Sequence, residues 1–566
     1  MEIKSVTIDN FRCHEKLNLD LENYHVFVGE NGTGKTAILE AVNLACSPYY
    51  VQSRINEQDF NNADKGNIKV IVTFNRYFLL KIPDGFTYQN IPCNSVSLSV
   101  KRRESATAGK ALSEPFTAES ICIPDYYADP SNIDVNLLPD GITIDQLPLK
   151  VFSIERDGQP GTKIVRKSGT EKNIRNNLLS ITNNELIGYP NVFYFDRQRE
   201  KEGKIGFNSL LSKISTELNW RYRKSMESEE ITPLWDAYYS SIINTVDKRV
   251  NKDLVGPAMK SVAKVTNIKI EDIEMALLTL EEPFAKSFLA KRNKLNQIPL
   301  SGMGSGISMI VTYFLLEHIS QLSKGDAIFL IDEPEMHLHP QLQEQMALHF
   351  FHTSDQTILS THSPSFVDLG RWKGITRFSQ DYKLTPSEEI LKTRLSNKTI
   401  REHLDEIPRW RQNETVFMDS DPELLFARRV LLVEGPADRY GFPRLARIMS
   451  KNFADTTIIS CNGKSKIIYY VTLCHAFKIP AFIVFDLDNN GTEDKENNQV
   501  LKAIGSFDYH AFSSSFESLL GVGYDVEHKA SKVLEKIDSI DNADSIPKEI
   551  RDAIKKIAKW SNGNKE

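Results

Sequence analysis

The sequence predicts an α/β protein of two successive open-sheet units, the first interrupted by a helical insertion and the second Rossmann-like. Three observations carry that expectation. A glycine-rich turn, GENGTGKT from Gly29 to Thr36, stands between a strand-like run, YHVFV, and a run with apolar residues at helical spacing, TAILEAVNLAC. Two later runs, AIFLID and QTILS, are largely apolar, as strands covered on both faces of a parallel sheet must be. A second set of such runs, VLLVEG, TTIIS and AFIVFDLD, follows further along the chain with helical stretches between its members.

Composition bounds the rest. The 566 residues suggest three or four domains at roughly 150 residues each. With 40% hydrophobic and 25% charged residues the chain has the balance of a globular protein, which excludes wholesale disorder. Its 69 basic and 75 acidic residues, net −6, exclude a globally basic DNA-coating chain and leave room for a basic groove on an acidic background. No apolar run reaches membrane-spanning length, the stretch around Met309–Leu316 included. MEIKSVTIDNFR alternates like a strand and lacks the basic start and apolar centre of a signal peptide, so a cytoplasmic location is expected. The six cysteines show no CxxC pair and no metal-ligand spacing, which points to buried or incidental thiols.

Taken in order, residues 1–200 read as strand, strand, turn, helix and strand, followed from about Pro83 by a β-rich extension with long loops and by the buried-strand run NVFYFD. Residues 201–295 change character. They carry few Gly or Pro, many charges and helical stretches such as TPLWDAYYSSIINTVDKRV and IEDIEMALLTLEEPFAKSFLAKR, and read as a helical insertion suited to dimerisation. Residues 296–395 return to alternating helix and strand. After a polar segment rich in Arg and Glu (about 383–415), the remainder of 396–566 forms the second α/β unit and a helical tail with Ile550, Ile554, Ile557 and Trp560 on one stripe.

The glycine-rich turn fits GxxxxGK[ST] in the required strand-to-helix context. Gly29, Asn31, Gly32 and Gly34 let the backbone curl so that N–H groups point at phosphate oxygens, beside the positive end of a helix. Lys35 then reaches the β- and γ-phosphates of ATP and the Thr36 hydroxyl ligates Mg²⁺. AIFLIDEPE places Asp332 at a strand end to hold the Mg²⁺ shell and Glu333 beside it to polarise the attacking water. His362, after the strand QTILS, is placed to contact the γ-phosphate.

The order NFR, GENGTGKT, LSGMGSG, IDEPEMHLHP, STHSP resembles the ABC-type ATPase heads of SMC-like and RecF-like proteins. That resemblance implies a head-to-head dimer with ATP sandwiched between subunits, capped by a signature serine at a helix start. Ser305, in Gly-Ser-Gly, has the better distance to Asp332, while Ser301, in Leu-Ser-Gly, has the better local match. Arg12 near the nucleotide and Gln58 as the glutamine facing the γ-phosphate follow from the same resemblance. Unlike SMC proteins, the chain has no sustained heptads, which argues against chromosome tethering.

In the second unit Glu434 ends one strand and is followed by Gly435, while Asp486 and Asp488 close another. Alternate strand residues share a side, and parallel strand ends converge on one edge, so three carboxylates gather where ligands bind. Oxygen donors without nearby Cys or His pairs suit Mg²⁺, with Mn²⁺ as the alternative. This order of elements is similar to the Toprim fold. An ABC-type P-loop ATPase domain with a helical insertion, followed by a Toprim (Rossmann-like) domain, resembles the OLD (overcoming lysogenization defect) family of ATP-dependent nucleases, as do the segments DPELLFARRVLLVEGPAD and ISCNGKSK. The resemblance adds Asp438 and Glu517 as further metal-binding acids and a late lysine among Lys532, Lys555, Lys556 and Lys559. It implies a homodimer or higher even-numbered oligomer and a partner protein of a prokaryotic defence system.

The function expected is an ATP-binding and ATP-hydrolysing, divalent-metal-dependent DNA endonuclease in which ATP state gates the Toprim site, in anti-phage defence. The alternative is a DNA-sensing ATPase scaffold with a weak or silent Toprim that recruits a separate effector. A structured RNA substrate is a third reading, favoured by no RNA-binding signature. Glu434→Ala separates nuclease from scaffold.

Overall fold

The computed structural model describes residues 1–48, 51–62, 66–84, 87–102, 116–156, 159–197, 250–266, 273–276, 288–292, 297–299, 305–323, 326–379, 421–453, 455–487, 493–523 and 529–562. They fall into two compact units, one of Met1–Val26 and Gly34–Thr361, the other of Phe27–Thr33 and His362–Glu566.

The first unit opens with β1 (Ile3–Phe11), β2 (His14–Asp20) and β3 (Tyr24–Gly29), the last of which crosses into the second unit at Phe27. Along β1 Val6, Ile8 and Asn10 are buried and Thr7 and Asp9 less so, the period of two that a half-buried strand requires, while Ile3 is buried out of phase across a register shift between Ile3 and Ser5. After β3 comes α1 (Lys35–Cys46); β4 (Ile68–Asp84), β5 (Thr87–Arg102) and β6 (Phe116–Pro124) then extend the antiparallel sheet in the order β2-β1-β4-β5-β6. The β-rich extension continues as a small antiparallel sheet of β7 (Lys150–Arg156), β8 (Gln159–Val165) and β9 (Glu171–Ile174), and β10 (Glu185–Ile187) pairs with β4. β11 (Asn191–Phe195) returns the chain to a parallel sheet, described below.

Within the segment expected to be helical, α2 (Gly256–Thr266) is a helix, and TPLWDAYYSSIINTVDKR lies outside the described residues. Within IEDIEMALLTLEEPFAKSFLAKR the described residues, 273–276 and 288–292, do not follow the expectation. β12 (Ile273–Ala276), β13 (Phe288–Arg292) and β14 (Gln297–Pro299) form an antiparallel sheet in that order, with Glu274 level with Ala290. The run holds a period-two alternation, Ile273 and Met275 against Glu274, that suits a strand as well as a helix, and cross-strand pairing decided between them.

α3 (Ser305–Ser323), β15 (Ala327–Asp332), α4 (Pro340–His352) and β16 (Gln356–Ser360) complete the first unit. β11, β15 and β16 are parallel neighbours, and every residue of β15 and β16 is buried. α1 packs between these strands and the antiparallel strands β1, β4 and β5, so it is buried nearly all round rather than on one stripe. On α3, Tyr313 sits amid Phe314, Phe329 and Phe350, with ring centroids 4.5 to 5.3 Å apart.

In the second unit, β17 (Ile375–Phe378) lies beside the carboxyl end of β3, with Phe27 against Phe378 at 5.9 Å. β18 (Arg429–Val433), α5 (Pro436–Ile448), β19 (Thr456–Ser460), α6 (Lys464–Ala476), β20 (Ala481–Asp486), α7 (Glu493–Ile504), β21 (Asp508–Phe512), α8 (Lys529–Asp538) and α9 (Lys548–Ser561) follow. The four strands run parallel in the order β19-β18-β20-β21. Leu431, Val433, Phe482, Val484 and Phe512 share a core with residues of α5, α8 and α9, and α6 packs against β18 and β20. The expected stripe of the tail holds: Ile550, Ile554 and Ile557 are fully buried in that core and Trp560 packs against it. All six cysteines carry thiols rather than disulfides, and five of them are buried. Among the described residues no helix is long and apolar enough to cross a membrane.

Candidate functional site

The first site begins at the carboxyl end of β3. Gly29 (φ +124°) passes so close to β17 that a Cβ there would sit 1.9 Å from the Phe378 carbonyl oxygen, which only glycine tolerates. Gly34 (φ +94°) is pinned in the same way against Cys13 and His14, whose Nε2 lies 3.0 Å from the Gly34 carbonyl oxygen. Gly32 also has positive φ, and Thr33 Oγ1 donates to the Glu30 carbonyl at 2.9 Å. With Asn31 in the turn between them, these residues hold the loop open. α1 then starts with no side-chain cap and no acidic residue in its own first turn. Lys35 is buried at the helix start.

Asp332 ends β15 with no exposed surface. Its Oδ1 accepts from Thr36 Oγ1 at 3.0 Å and from Ser360 Oγ, while its Oδ2 is buried without a hydrogen-bond partner among the described residues. Burial pushes the Asp332 carboxyl upward, and the hydroxyls of Ser360 and Thr36 oppose that shift. A buried carboxylate oxygen with no donor, one bond away from the P-loop hydroxyl, is what a hard cation would satisfy. Glu333 follows in the left-handed region (φ 48°), its N–H donating to the Ser360 carbonyl at 2.9 Å and its carboxylate 3.2 Å from Arg197 Nε. Thr361 Oγ1 donates to Glu335 at 2.8 Å.

The structure thus brings Thr36, Asp332 and Glu333 together. His362 stands exposed just after β16. Arg12, expected near the nucleotide, donates through Nη2 to Glu40 of α1 and through Nε to Asp59 at 2.8 Å, with its guanidinium over the Phe11 ring. Gln58 is exposed on a short helical turn. Ser305 is the first residue of α3, and Gly306 packs against the His337 carbonyl, where a Cβ would come within 2.5 Å; Ser301 lies outside the described residues. Ser360 and Arg197 escaped the sequence reading. The signal for both is register, since Ser360 is level with Asp332, and Phe195 level with Ile331 puts Arg197 level with Glu333.

The second site lies at the carboxyl edge of the β18–β20 pair. Glu434 follows β18, and its Oε2 accepts from the Asp486 N–H at 3.2 Å. Asp486 ends β20, and its Oδ2 accepts from the Phe516 N–H at 3.3 Å, which places Glu517 one residue away in the short helix Phe516–Leu519 capped by Ser515. Asp438, in the first turn of α5, accepts from the Gly435 N–H at 2.8 Å. Burial first, then the nearby carboxylates of Glu517 and Glu434, push its carboxyl up to about 8. Glu434, Asp438, Asp486 and Glu517 therefore share one neighbourhood. Asp488 lies outside the described residues. The Gly463 N–H donates to the Glu434 carbonyl at 2.9 Å, and buried Lys464 opens α6 beside it. Of the late lysines, Lys555 lies 3.9 Å from Asp552 and Lys556 Nζ 3.5 Å from His510 Nδ1.

Among the described residues no three His, Cys, Asp or Glu side chains close into a ready metal cage. An all-oxygen set of this kind fits a cation that keeps waters and takes substrate phosphate oxygens as its remaining ligands.

Comparison with known proteins finds two family matches along the chain. Residues 1–367 match the AAA ATPase domain family, and residues 425–488 match the TOPRIM domain of overcoming lysogenization defect protein-like proteins. The chain is 23% identical to an OLD nuclease of Thermus scotoductus over 95% of both chains. It is 22% identical to endonuclease GajA of Bacillus cereus, over 79% of this chain and 68% of that one. To the Old nuclease of Escherichia phage P2 it is 22% identical, over 86% of this chain and 77% of that one. The chain belongs to the AAA ATPase domain family and carries the OLD-like TOPRIM domain after it.

Proposed function

We propose that the protein is an ATP-hydrolysing, divalent-metal-dependent DNA endonuclease whose Toprim site is gated by nucleotide state. The observation that carries the nuclease is the neighbourhood of Glu434, Asp438, Asp486 and Glu517 at one sheet edge, in a chain that resembles nucleases over most of its length. Divalent cations bound there supply a water of lowered pKa and offset charge on the departing oxygen. Glu434 and Asp486 hold them from two adjacent strand ends, with Asp438, Asp488 and Glu517 as the further ligands. In the first site Thr36 and Asp332 hold the Mg²⁺ of ATP, Lys35 neutralises its phosphates, and Glu333 takes the proton of the attacking water. His362 and Ser305 act on the γ-phosphate, the latter across a head-to-head homodimer.

Gating is supported by contacts inside the second unit. The Glu30 N–H, within the P-loop, donates to the Phe378 carbonyl at 3.3 Å, and its carboxylate lies 3.5 Å from Arg428, the residue ahead of β18. Buried Arg377, the neighbour of Phe378, donates to the carbonyls of Leu425 and Ala427 at 2.9 and 2.7 Å. A change in the P-loop on binding ATP is thereby felt at the root of the strand that ends at Glu434. Cutting of intracellular phage DNA in a prokaryotic cytoplasm is the setting that fits this pair of activities.

The test is incubation of supercoiled and linear DNA with Mg²⁺ or Mn²⁺, with and without ATP, beside Glu434→Ala. Nicking or cutting lost in the variant supports the nuclease, and the difference between ATP lanes gives the sign of gating. Intact ATP hydrolysis with no cutting under any condition would leave the scaffold reading in its place. Loss of phage restriction in cells carrying Glu434→Ala tests the defence role.

A further inference from the structure

We propose that Arg197 is a positioning residue for ATP hydrolysis: it holds the carboxylate of Glu333 where the attacking water must be met. This rests on the ATPase reading of the first site and adds a residue to it. β15 is the middle of three parallel strands, and Glu333 sits just past its end, gripped from both sides. On one side its N–H donates to the carbonyl of Ser360, the last residue of β16, at 2.9 Å. On the other, Arg197 leaves the end of β11, level with Glu333 by the register of Phe195 with Ile331, and its Nε approaches Glu333 Oε2 at 3.2 Å. The backbone of Glu333 is in the left-handed region, unusual for a residue with a Cβ, so the neighbouring strands must over-determine its conformation.

The burial of the two partners indicates how the pair works. The Glu333 side chain is 14% exposed and that of Arg197 61% exposed. An exposed arginine reaching inward adds little to folding stability. Its planar fork, however, restricts the torsions of a flexible glutamate next to the fully buried Asp332. A general base displaced by about 1 Å loses on the order of tenfold to a hundredfold in rate while substrate binding is untouched.

The experiment is steady-state ATP hydrolysis by the full-length protein and its Arg197→Ala, Arg197→Lys and Glu333→Gln variants, with binding of a fluorescent ATP analogue and the thermal midpoint measured for each. Arg197→Ala is expected to lower kcat about tenfold or more, with KM, analogue affinity and midpoint unchanged to within about twofold or about 1 °C. Arg197→Lys, which keeps the charge, recovers part of the loss. In the Glu333→Gln background, removal of Arg197 changes the single-turnover rate less than about twofold, because the group it positions is gone. A rise in KM with kcat preserved would assign Arg197 to nucleotide contact and overturn the proposal. An undiminished kcat, or the same fall in the Glu333→Gln background, would overturn it too while leaving the ATPase intact. Wild-type protein that hydrolyses no ATP would overturn both.

Discussion

Asp332 and Asp486 occupy equivalent places, each the last residue of a fully buried parallel strand, yet their surroundings are opposite in kind. Asp332 is met by two hydroxyls, Thr36 and Ser360, and has a single acidic neighbour in sequence, Glu333, that Arg197 approaches. Asp486 accepts from the backbone N–H of Phe516, gives its own N–H to Glu434, and has Asp438 and Glu517 in the same neighbourhood. Hydroxyls rotate, so the donors of the first arrangement are free to turn about their own bonds. Backbone donors do not rotate, so the second is a fixed cluster of carboxyl groups, in which burial and the neighbouring carboxylates hold the proton on Asp438. The same strand end thus meets rotatable hydroxyl donors in one region and a fixed backbone donor in the other.

The sharpest way to break this comparison is to exchange charge for a neutral isostere at the two strand ends. Asp332→Asn is expected to lower ATP turnover by about two to three orders of magnitude, with DNA cutting in the absence of ATP retained. Asp486→Asn is expected to lower cutting by a similar factor, with basal ATP turnover within about twofold of wild type. Parallel assays of both activities on both variants check this, and equal loss of both activities in either variant would show that the sites are not separable. Ser360→Ala, which removes one hydroxyl from Asp332, should cost ATP turnover about tenfold less than Asp332→Asn does, since Thr36 remains.

The two regions also differ in how much of them could be read before folding. The glycine turn, the strand ends at Asp332, Glu434 and Asp486, and the apolar stripe of the last helix are local patterns in which spacing already implies geometry. Ser360 and Arg197 carry no such local mark; they matter because parallel register sets them level with Asp332 and Glu333, and register is a property of strands far apart in sequence. Arg12 is a further case, since the fold places Glu40 and Asp59 against it, two acids that sequence spacing does not put beside it. The segment from Ile273 to Arg292 shows the limit of periodicity itself, because its short alternations fit helix or strand until a partner strand is present.

A second, smaller effect probes the join through which the P-loop reaches the Toprim strands. Arg377 is 5% exposed and donates to the carbonyls of Leu425, Ala427 and, at 3.4 Å, Phe477. Arg377→Met fills a similar volume and leaves those buried acceptors unserved, an expected loss of about 3 kcal/mol. Chemical denaturation measures it. If gating runs through this join, the variant should also show a smaller difference between cutting with and without ATP, and an unchanged ratio would remove Arg377 from the route.

The last expected effect concerns pH and tests whether the acidic cluster takes a cation. Asp438 keeps its proton in the folded protein up to about pH 8, whereas in the unfolded chain it ionises near the ordinary aspartate value of about 4. Below pH 4 both states hold the proton and the group is neutral to stability. Between about 4 and 8 the folded state binds the extra proton, so its contribution to stability falls as pH rises, and above 8 the loss is complete and the slope disappears. In chelator, wild-type protein should therefore lose several degrees of melting midpoint between pH 5 and 8 relative to Asp438→Asn, whose asparagine cannot ionise. Mg²⁺ competes with that proton, so the midpoint gained on adding it should be larger at pH 8.5 than at pH 6 in wild type and nearly independent of pH in the variant. Equal gains at both pH values in wild type would mean that Asp438 takes no part in holding the cation, leaving Glu434 and Asp486 to do so from the strand ends.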